Sequence, residues 1–549
     1  MPVRHVLAVA CNERAQGGGH RARTVRNLTM TRIEDLEHER CALQAVLDAE
    51  KSPAERNRLG QFATPPALAR DILTYAKTLL AADEPVHFLD PALGTGAFYS
   101  ALRQVFPEGR IRAALGYEID PHYGKPAKAL WKQQKIDIAV DDFTEQPATP
   151  RYNLVICNPP YVRHHHITND IKGRLLLGTH QACGVRIGGL AGLYCYFLGL
   201  SHAWLAPGAI SGWLIPSEFM DVNYGQAVKR YLLQQVTLLR IHRFDPSDVQ
   251  FADALVSSAV VWFRNDPPPQ AHAVRFTFGG TLLEPHLSRI VPAQALAQES
   301  KWTRFPTANI RLASTAPTIA DFFKIKRGLA TGDNSYFILS HDEIETRGLP
   351  LTCFRPILPS PRYVPIDEIT ADAHGIPQLD KKLFLLDPQL SEADIKRRYP
   401  SLWNYLEEGR ARGLHERYLC RHRSVWYAQE NRPAPPIVCT YIGRSDTKTG
   451  RPFRFILNHS EATVANVYLA MYPTLILQSA LRSQPKLIRA VWQVLNRITP
   501  EHLLAEGRVY GGGLHKLEPK ELANVPVPEI AALLPETVQR QEELFAAAV

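Results

Sequence analysis

Apolar residues at Leu36, Leu43, Val46 and Leu47 recur at helical spacing and predict an amphipathic helix over Ile33–Glu50. A second helix is expected over Leu68–Leu80, after the turn "GQFATPP", with Thr64 or Pro65 near its start. Short apolar runs then alternate with helical stretches. "VHFLD", "IRAALGYEID", "IDIAVDDF" and "YNLVICNPP" read as strands, while "GAFYSALRQVF" and "PAKALWKQQK" read as helices. The alternation continues through a helix at Leu193–Leu205, the strand "AISGWLIP", a helix at Asn223–Leu233, and the strands "TLLRIHRF" and "ALVSSAVVWF". Strands alternating with helices predict βαβ units and a doubly wound, mostly parallel sheet, a Rossmann-like α/β domain over residues 32–265. The pattern stops at "RNDPPPQAHA", where Pro267–Pro269 mark a linker or domain edge. Residues 266–549 are expected to form a second, less regular α+β domain, and residues 1–31 a disordered tail.

The bulk numbers fit this division. The chain has 549 residues, too many for one ordinary domain, and its 45% hydrophobic and 21% charged content describe a globular protein. A formal charge of +9 and a pI near 9.0 favour a polyanionic partner. None of the 8 cysteines forms a CxxC pair, so no zinc ribbon or redox dithiol is written, and a reduced, cytosolic setting is expected. The N-terminal apolar run "VLAVA" is too short for a secretory segment. Leu193–Phe219 is broken by His202, Pro207 and Pro216, so no membrane span is expected.

Chemistry concentrates where strands end. In "DPALGTGAF" the glycines Gly94 and Gly96 let backbone approach a ligand, and a helix N-terminus follows. The acidic residue comes first and Tyr99 replaces the third glycine of a dinucleotide loop, so Asp90 suits an ammonium better than a pyrophosphate. S-adenosylmethionine carries such an amino acid end. Glu118, ending the next strand, could take both ribose hydroxyls. Asp142 could hold the adenine amino group, and Phe143 could stack on its ring. Taken singly these are ordinary strand ends; taken together they define a ligand crevice.

Asn158-Pro159-Pro160-Tyr161 follows the fourth strand. A purine amine is a weak nucleophile because its lone pair is conjugated into the ring. Two fixed acceptors, the Asn158 side-chain oxygen and the Pro159 carbonyl, would favour a pyramidal nitrogen and aim the lone pair at a sulfonium methyl. The prolines stiffen the backbone that carries these acceptors. Tyr161 supplies a face for the base, which must leave a duplex to be reached. Cys157 sits on the strand and reads as a small core residue.

The order "GQFATPP", "DPALGTGAF", "GYEID", "DDF", "NPPY", then an irregular downstream domain, resembles the gamma class of amino-DNA methyltransferases. These are adenine-N6 enzymes of bacterial restriction–modification systems. The resemblance implies an S-adenosyl-L-methionine-dependent catalytic domain followed by a target-recognition domain that binds double-stranded DNA. It implies that Phe62, Thr64 and Pro65 close over the methionine part of the cofactor. Asp90, Pro91, Gly94 and Gly96 cradle it, Glu118 binds ribose, and Asp142 with Phe143 binds adenine. Asn158 and Pro159 orient the target amine, and Tyr161 stacks on the base. Phe251 falls where a second aromatic would meet the flipped base, though a core phenylalanine would look the same. A monomer acting beside a separate restriction endonuclease is expected, since no nuclease motif is apparent.

Rival readings remain open on the residues alone. No Pro-Cys pair occurs, which excludes a cytosine-C5 enzyme. Cytosine N4, RNA and protein glutamine suit the same acceptor geometry, and a non-catalytic DNA-binding subunit would need neither Asn158 nor the glycine loop. "GLATGDNSYF" and "GGGLHK" could be plain turns or phosphate contacts, with Lys516 as one such contact. The run His164–His166 suggests a metal site at first sight. Adjacent imidazoles diverge, however, so no metal is expected, and Arg163–His166 read as a basic rim flanking the flipped nucleotide.

Overall fold

The computed structural model describes residues 22–245, 257–306, 316–444, 451–510 and 514–535. Phe251 and residues 1–21 of the expected tail lie outside the described residues. The chain forms two compact units, Met1–Thr307 and Ala308–Val549.

The first unit is built on one nine-stranded sheet: β1 (Val86–Asp90), β2 (Ile111–Tyr117), β3 (Asp137–Ala139), β4 (Tyr152–Cys157), β5 (Leu205–Pro216), β6 (Thr237–Arg243), β7 (Ser258–Arg264), β8 (Ala273–Gly280) and β9 (Pro285–Pro292). Their order is β3-β2-β1-β4-β5-β7-β6-β8-β9. The first five strands pair in parallel, β7 runs antiparallel to β5 and β6, and β9 antiparallel to β8. The winding direction reverses between β1 and β4, which opens a crevice beyond their carboxyl ends.

Among the described residues nine helices precede, flank or follow these strands: α1 (Ala22–Ala49), α2 (Pro53–Leu59), α3 (Pro66–Leu79), α4 (Ala97–Val105), α5 (Pro121–Leu130), α6 (Asn169–Cys183), α7 (Leu193–Ser201), α8 (Gly225–Gln234) and α9 (Ala293–Gln298). Strand β4 shows why the sheet is covered on both faces. Leu154 and Ile156 enter one core with Leu68, Ile72 and Phe98, while Val155 and Cys157 enter the other with Phe197 and Trp213. All four β4 residues have no exposed surface. That burial accounts for the continuous apolar run of "LVIC". None of the described helices is long and apolar enough to cross a membrane.

Three sequence expectations change. Helix α1 begins at Ala22, so residues 22–31 of the expected tail belong to a helix. Helix α6 was not foreseen. The first unit also runs past residue 265: β8 pairs with β6 and β9 with β8, so Pro267–Pro269 lie in a connection within one unit. The physical reason is edge coverage, since β8 supplies the parallel partner that β6 would otherwise lack.

The second unit is α+β. A five-stranded sheet carries Phe323–Arg327, Tyr468–Pro473, Ile437–Thr440, Phe455–Asn458 and Glu368–Ile369, and four- and three-stranded sheets accompany it. A stacked pair, Tyr336 and Tyr405, anchors one of its cores with ring centroids 4.6 Å apart. Each hydroxyl donates to the other residue's carbonyl at 2.7 Å.

Candidate active site

A cavity of about 280 Å³ opens at the carboxyl ends of β1, β2, β3 and β4. The loop after β1 forms its floor. Gly94 has φ 58°, and a Cβ there would meet nothing within 4 Å, so a ligand can lie directly on the backbone. Gly96 (φ 96°) is different: a Cβ would come within 2.5 Å of the Trp131 indole nitrogen, which itself donates to Thr95 O at 2.9 Å. The tryptophan thus sets the curvature of the loop.

Asp90 is fully buried at the end of β1. Its Oδ1 accepts Ala92 N at 3.1 Å, and its Oδ2 has no partner among the described residues. Burial pushes its carboxyl up to about 8, and the neighbouring Glu118 adds to the rise. An unpaired buried carboxylate oxygen calls for a cation. Glu118 uses one oxygen for Gly94 N (2.9 Å) and the other for Asp120 N (2.8 Å), which fixes the carboxylate while leaving lone pairs for two hydroxyls. Burial raises its pKa despite those bonds.

Phe143 is buried against Tyr117, Phe197 and Trp204, with ring centroids 5.4–5.6 Å away, and it lines the cavity. Asp142 is more committed than expected. Its Oδ1 caps a short helical turn, accepting Thr144 N at 2.8 Å and Thr144 Oγ1 at 2.7 Å, and its Oδ2 faces Arg174 at 3.5 Å. Only Oδ2 remains for a ligand amine.

Asn158 is the central residue. Its Nδ2 donates to the Phe62 carbonyl at 3.0 Å and to Thr64 Oγ1 at 3.1 Å. A carbonyl only accepts, so the amide orientation is fixed with nitrogen towards Phe62. The other end, Oδ1, is buried and has no partner among the described residues. The loop carrying Phe62 lies tight against this segment: Tyr161 N donates to Gly60 O at 3.2 Å, and a Cβ on Gly60 (φ 67°) would reach Tyr161 N at 2.4 Å.

Phe62, Pro91, Gly94, Glu118, Asp142, Phe143, Asn158 and Pro160 all line the one cavity. Thr64 does not line it; it serves Asn158 instead, and Pro65 caps the start of α3. Tyr161 departs from an open stacking face. It is 9% exposed, its hydroxyl donates to Leu214 O at 3.1 Å, and its ring packs on Phe62 at 5.7 Å. Lys516 also departs from expectation. Its ammonium pairs with Glu518 at 2.8 Å and lies over the Tyr441 ring, so the charge is compensated internally. In "GLATGDNSYF", Asp333 caps a short helix and pairs with Arg417 at 2.8 Å. Arg163 is exposed at the rim; the rings of His164 and His165 cross at 88°, and His166 reaches the cavity edge.

Sequence reasoning missed Gln44 and Asp48 on α1, Ile171 and Arg174 on α6, and Phe197 on α7, all of which line the cavity. Gln44 Oε1 accepts Thr95 Oγ1 at 2.6 Å, so α1 is hooked to the glycine loop. The polar pair Gln44 and Asp48, one turn apart on an otherwise amphipathic helix, was the available signal.

The cavity therefore offers a bare backbone floor, a fixed diol acceptor and an aromatic slot, and the orphaned Asp90 carboxylate is buried next to its lining residue Pro91; this set suits S-adenosyl-L-methionine from its ammonium to its adenine. Comparison with known proteins agrees. Residues 117–250 match the family model of the Eco57I restriction-modification methylase, and residues 303–548 that of the type II methyltransferase M.Eco57I, C-terminal domain. The chain is 27% identical over 486 residues to the type II methyltransferase M.XamI of Xanthomonas campestris pv. amaranthicola, covering 87% of this chain and 86% of that protein. It is 26% identical over 487 residues to M.AccI of Acinetobacter calcoaceticus, covering 85% of each. Its fold is similar to that of the type IIL restriction-modification enzyme MmeI, solved in complex with DNA. The TM-score is 0.51 at 13% identity, over 80% of this chain and 66% of that one. The chain belongs to the gamma-class methyltransferases of restriction–modification systems, a type II DNA methyltransferase that uses S-adenosyl-L-methionine.

Proposed function

We propose that the chain methylates the N6 amine of adenine in duplex DNA, with the target base flipped out of the helix. The observation that carries this reading is the Oδ1 of Asn158, buried and without a partner among the described residues, on an amide fixed by two bonds from Nδ2. Asn158 Oδ1 takes one N–H of the amine, and the Pro159 carbonyl takes the other. Pro159 and Pro160 stiffen this backbone, so the acceptors need no rearrangement as the nitrogen becomes pyramidal. When bound, the cofactor supplies an electrophilic methyl group on its sulfonium.

Asp90 and the Gly94 backbone hold the amino acid end, Glu118 the ribose, and Asp142 Oδ2 with Phe143 and Phe197 the adenine. Tyr161 supports Phe62 and the loop above Asn158. Arg163 meets phosphate at the cavity rim, and the second unit reads the DNA sequence. The enzyme acts in the bacterial cytoplasm as a monomer, as the modification partner of a separate endonuclease. Duplex DNA incubated with tritiated cofactor and digested to nucleosides tests the base. Label in N6-methyldeoxyadenosine supports the reading. Label in N4-methyldeoxycytidine would replace the base while keeping the acceptor geometry, and DNA left unlabelled, with label entering RNA or protein supplied in a parallel reaction, would replace the substrate.

A further inference from the structure

The 60–62 loop and the turn after β2 meet beside the cavity, and one lysine binds both. Lys51, just beyond α1, donates to Gln61 Oε1 at 3.1 Å and forms an ion pair with Asp120 Oδ2. Gln61 Nε2 completes the triangle on Asp120 Oδ2 at 2.7 Å. The pair is largely sequestered, with Lys51 at 11% and Asp120 at 18% exposure. Each arm leads to one half of the reaction. On one side, Asp120 N donates to Glu118 Oε1 at 2.8 Å, which is the proposed ribose carboxylate. On the other, Gln61 sits between Gly60 and Phe62, whose carbonyls accept Tyr161 N at 3.2 Å and Asn158 Nδ2 at 3.0 Å.

We propose that Lys51 is a positioning residue that couples occupancy of the cofactor site to the placement of Asn158. The inference rests on the roles given above to Glu118 and Asn158. Cofactor on Glu118 steadies the turn at Asp120. Through Lys51 and Gln61 this steadies the 60–62 loop, and the loop aims the Asn158 amide. A sequestered pair with a supporting third hydrogen bond is strong enough for this, whereas an exposed lysine–aspartate pair would add little. Lys51 bonds to both arms, so removing it disturbs cofactor affinity through Asp120 and turnover through the loop that aims Asn158, and the two losses need not be equal.

The test uses the full chain and three variants, Lys51→Met, Lys51→Arg and Asp120→Asn. The affinity for S-adenosylhomocysteine is measured by calorimetry without DNA. kcat and KM for S-adenosylmethionine are measured on unmethylated genomic DNA by total tritium, which counts transfer to any base. Failure of the adenine assignment therefore leaves this experiment readable. Lys51→Met is expected to weaken S-adenosylhomocysteine binding and to lower kcat at saturating cofactor, each by about 5-fold or more. Lys51→Arg should recover most of both. Asp120→Asn should reproduce the double defect and keeps the proposal testable if Lys51→Met does not fold. A variant pair that moves affinity but not kcat, or a Lys51→Arg as defective as Lys51→Met, overturns the proposal.

Discussion

Asn158 Nδ2 lies 3.0 Å from the carbonyl oxygen of Phe62, so the Asn158 amide is oriented by backbone 96 residues earlier in the chain. Thr64 Oγ1 shares the load at 3.1 Å. Its position predicts an effect on turnover rather than on cofactor affinity. Thr64→Val removes one hydrogen bond of about 0.5–1.5 kcal/mol and should lower kcat roughly 2–10-fold. Calorimetry with S-adenosylhomocysteine should show no change. A weakened affinity with kcat intact would return Thr64 to the cofactor.

Asp90 predicts a proton linkage. Its folded-state pKa is raised from 3.8 to about 8, so the ligand-free protein holds an extra proton between those values. Stability of the ligand-free form should then fall as pH rises through that window, at up to about 1.4 kcal/mol per pH unit, and level off above it. Binding an ammonium ionises Asp90 and releases the proton. At pH 7, calorimetry of S-adenosylhomocysteine binding in buffers of different ionisation enthalpy should report proton release, and Asp90→Asn should abolish it. No buffer dependence in the wild type would contradict the assignment.

Gly60 has a φ of 67° and no room for a Cβ beside Tyr161 N, 2.4 Å away. Gly60→Ala carries a conformational cost of about 1–2 kcal/mol before any clash is counted. Thermal unfolding should show the loss, and methyl transfer should fall further than stability, because the displaced loop also carries the Phe62 carbonyl. Unchanged turnover in Gly60→Ala would mean that the loop does not position Asn158.

Arg163 is an exposed rim residue, whereas Lys516 is paired with Glu518. The slope of log affinity for DNA against log salt counts phosphate contacts. Arg163→Ala should reduce its magnitude by about 1, and Lys516→Ala should leave it close to the wild-type value. The reverse ranking would restore the sequence-based reading of Lys516.

Much of the catalytic side was legible because its residues follow strands. Asp90, Glu118 and Asn158 each stand at a strand end whose apolar run is readable, Phe143 begins a short turn four residues past β3, and parallel order brings those ends to one crevice. Contacts made across long separations were not readable. Gln44 reaches Thr95 and Arg174 reaches Thr144 through helix faces whose neighbours no local pattern names. Helix α6 was hidden because its face is mixed, with Ile171 38% exposed at the cavity. The boundary near residue 266 failed for a similar reason: three prolines look the same in a linker as in a turn between two strands of one sheet. Lys516 read as free because Glu518, two residues on, was not weighed as its partner.

The central claim, that the buried Asn158 side-chain oxygen activates an adenine amine, is tested most directly by single-turnover methyl transfer with wild type and Asn158→Ala. Both are saturated with cofactor and DNA, and the products are resolved as nucleosides. The account predicts N6-methyldeoxyadenosine from the wild type, and a rate lower by about 10²–10³-fold in the variant, with S-adenosylhomocysteine affinity unchanged. An Asn158→Ala variant that forms N6-methyldeoxyadenosine at the wild-type rate would contradict it.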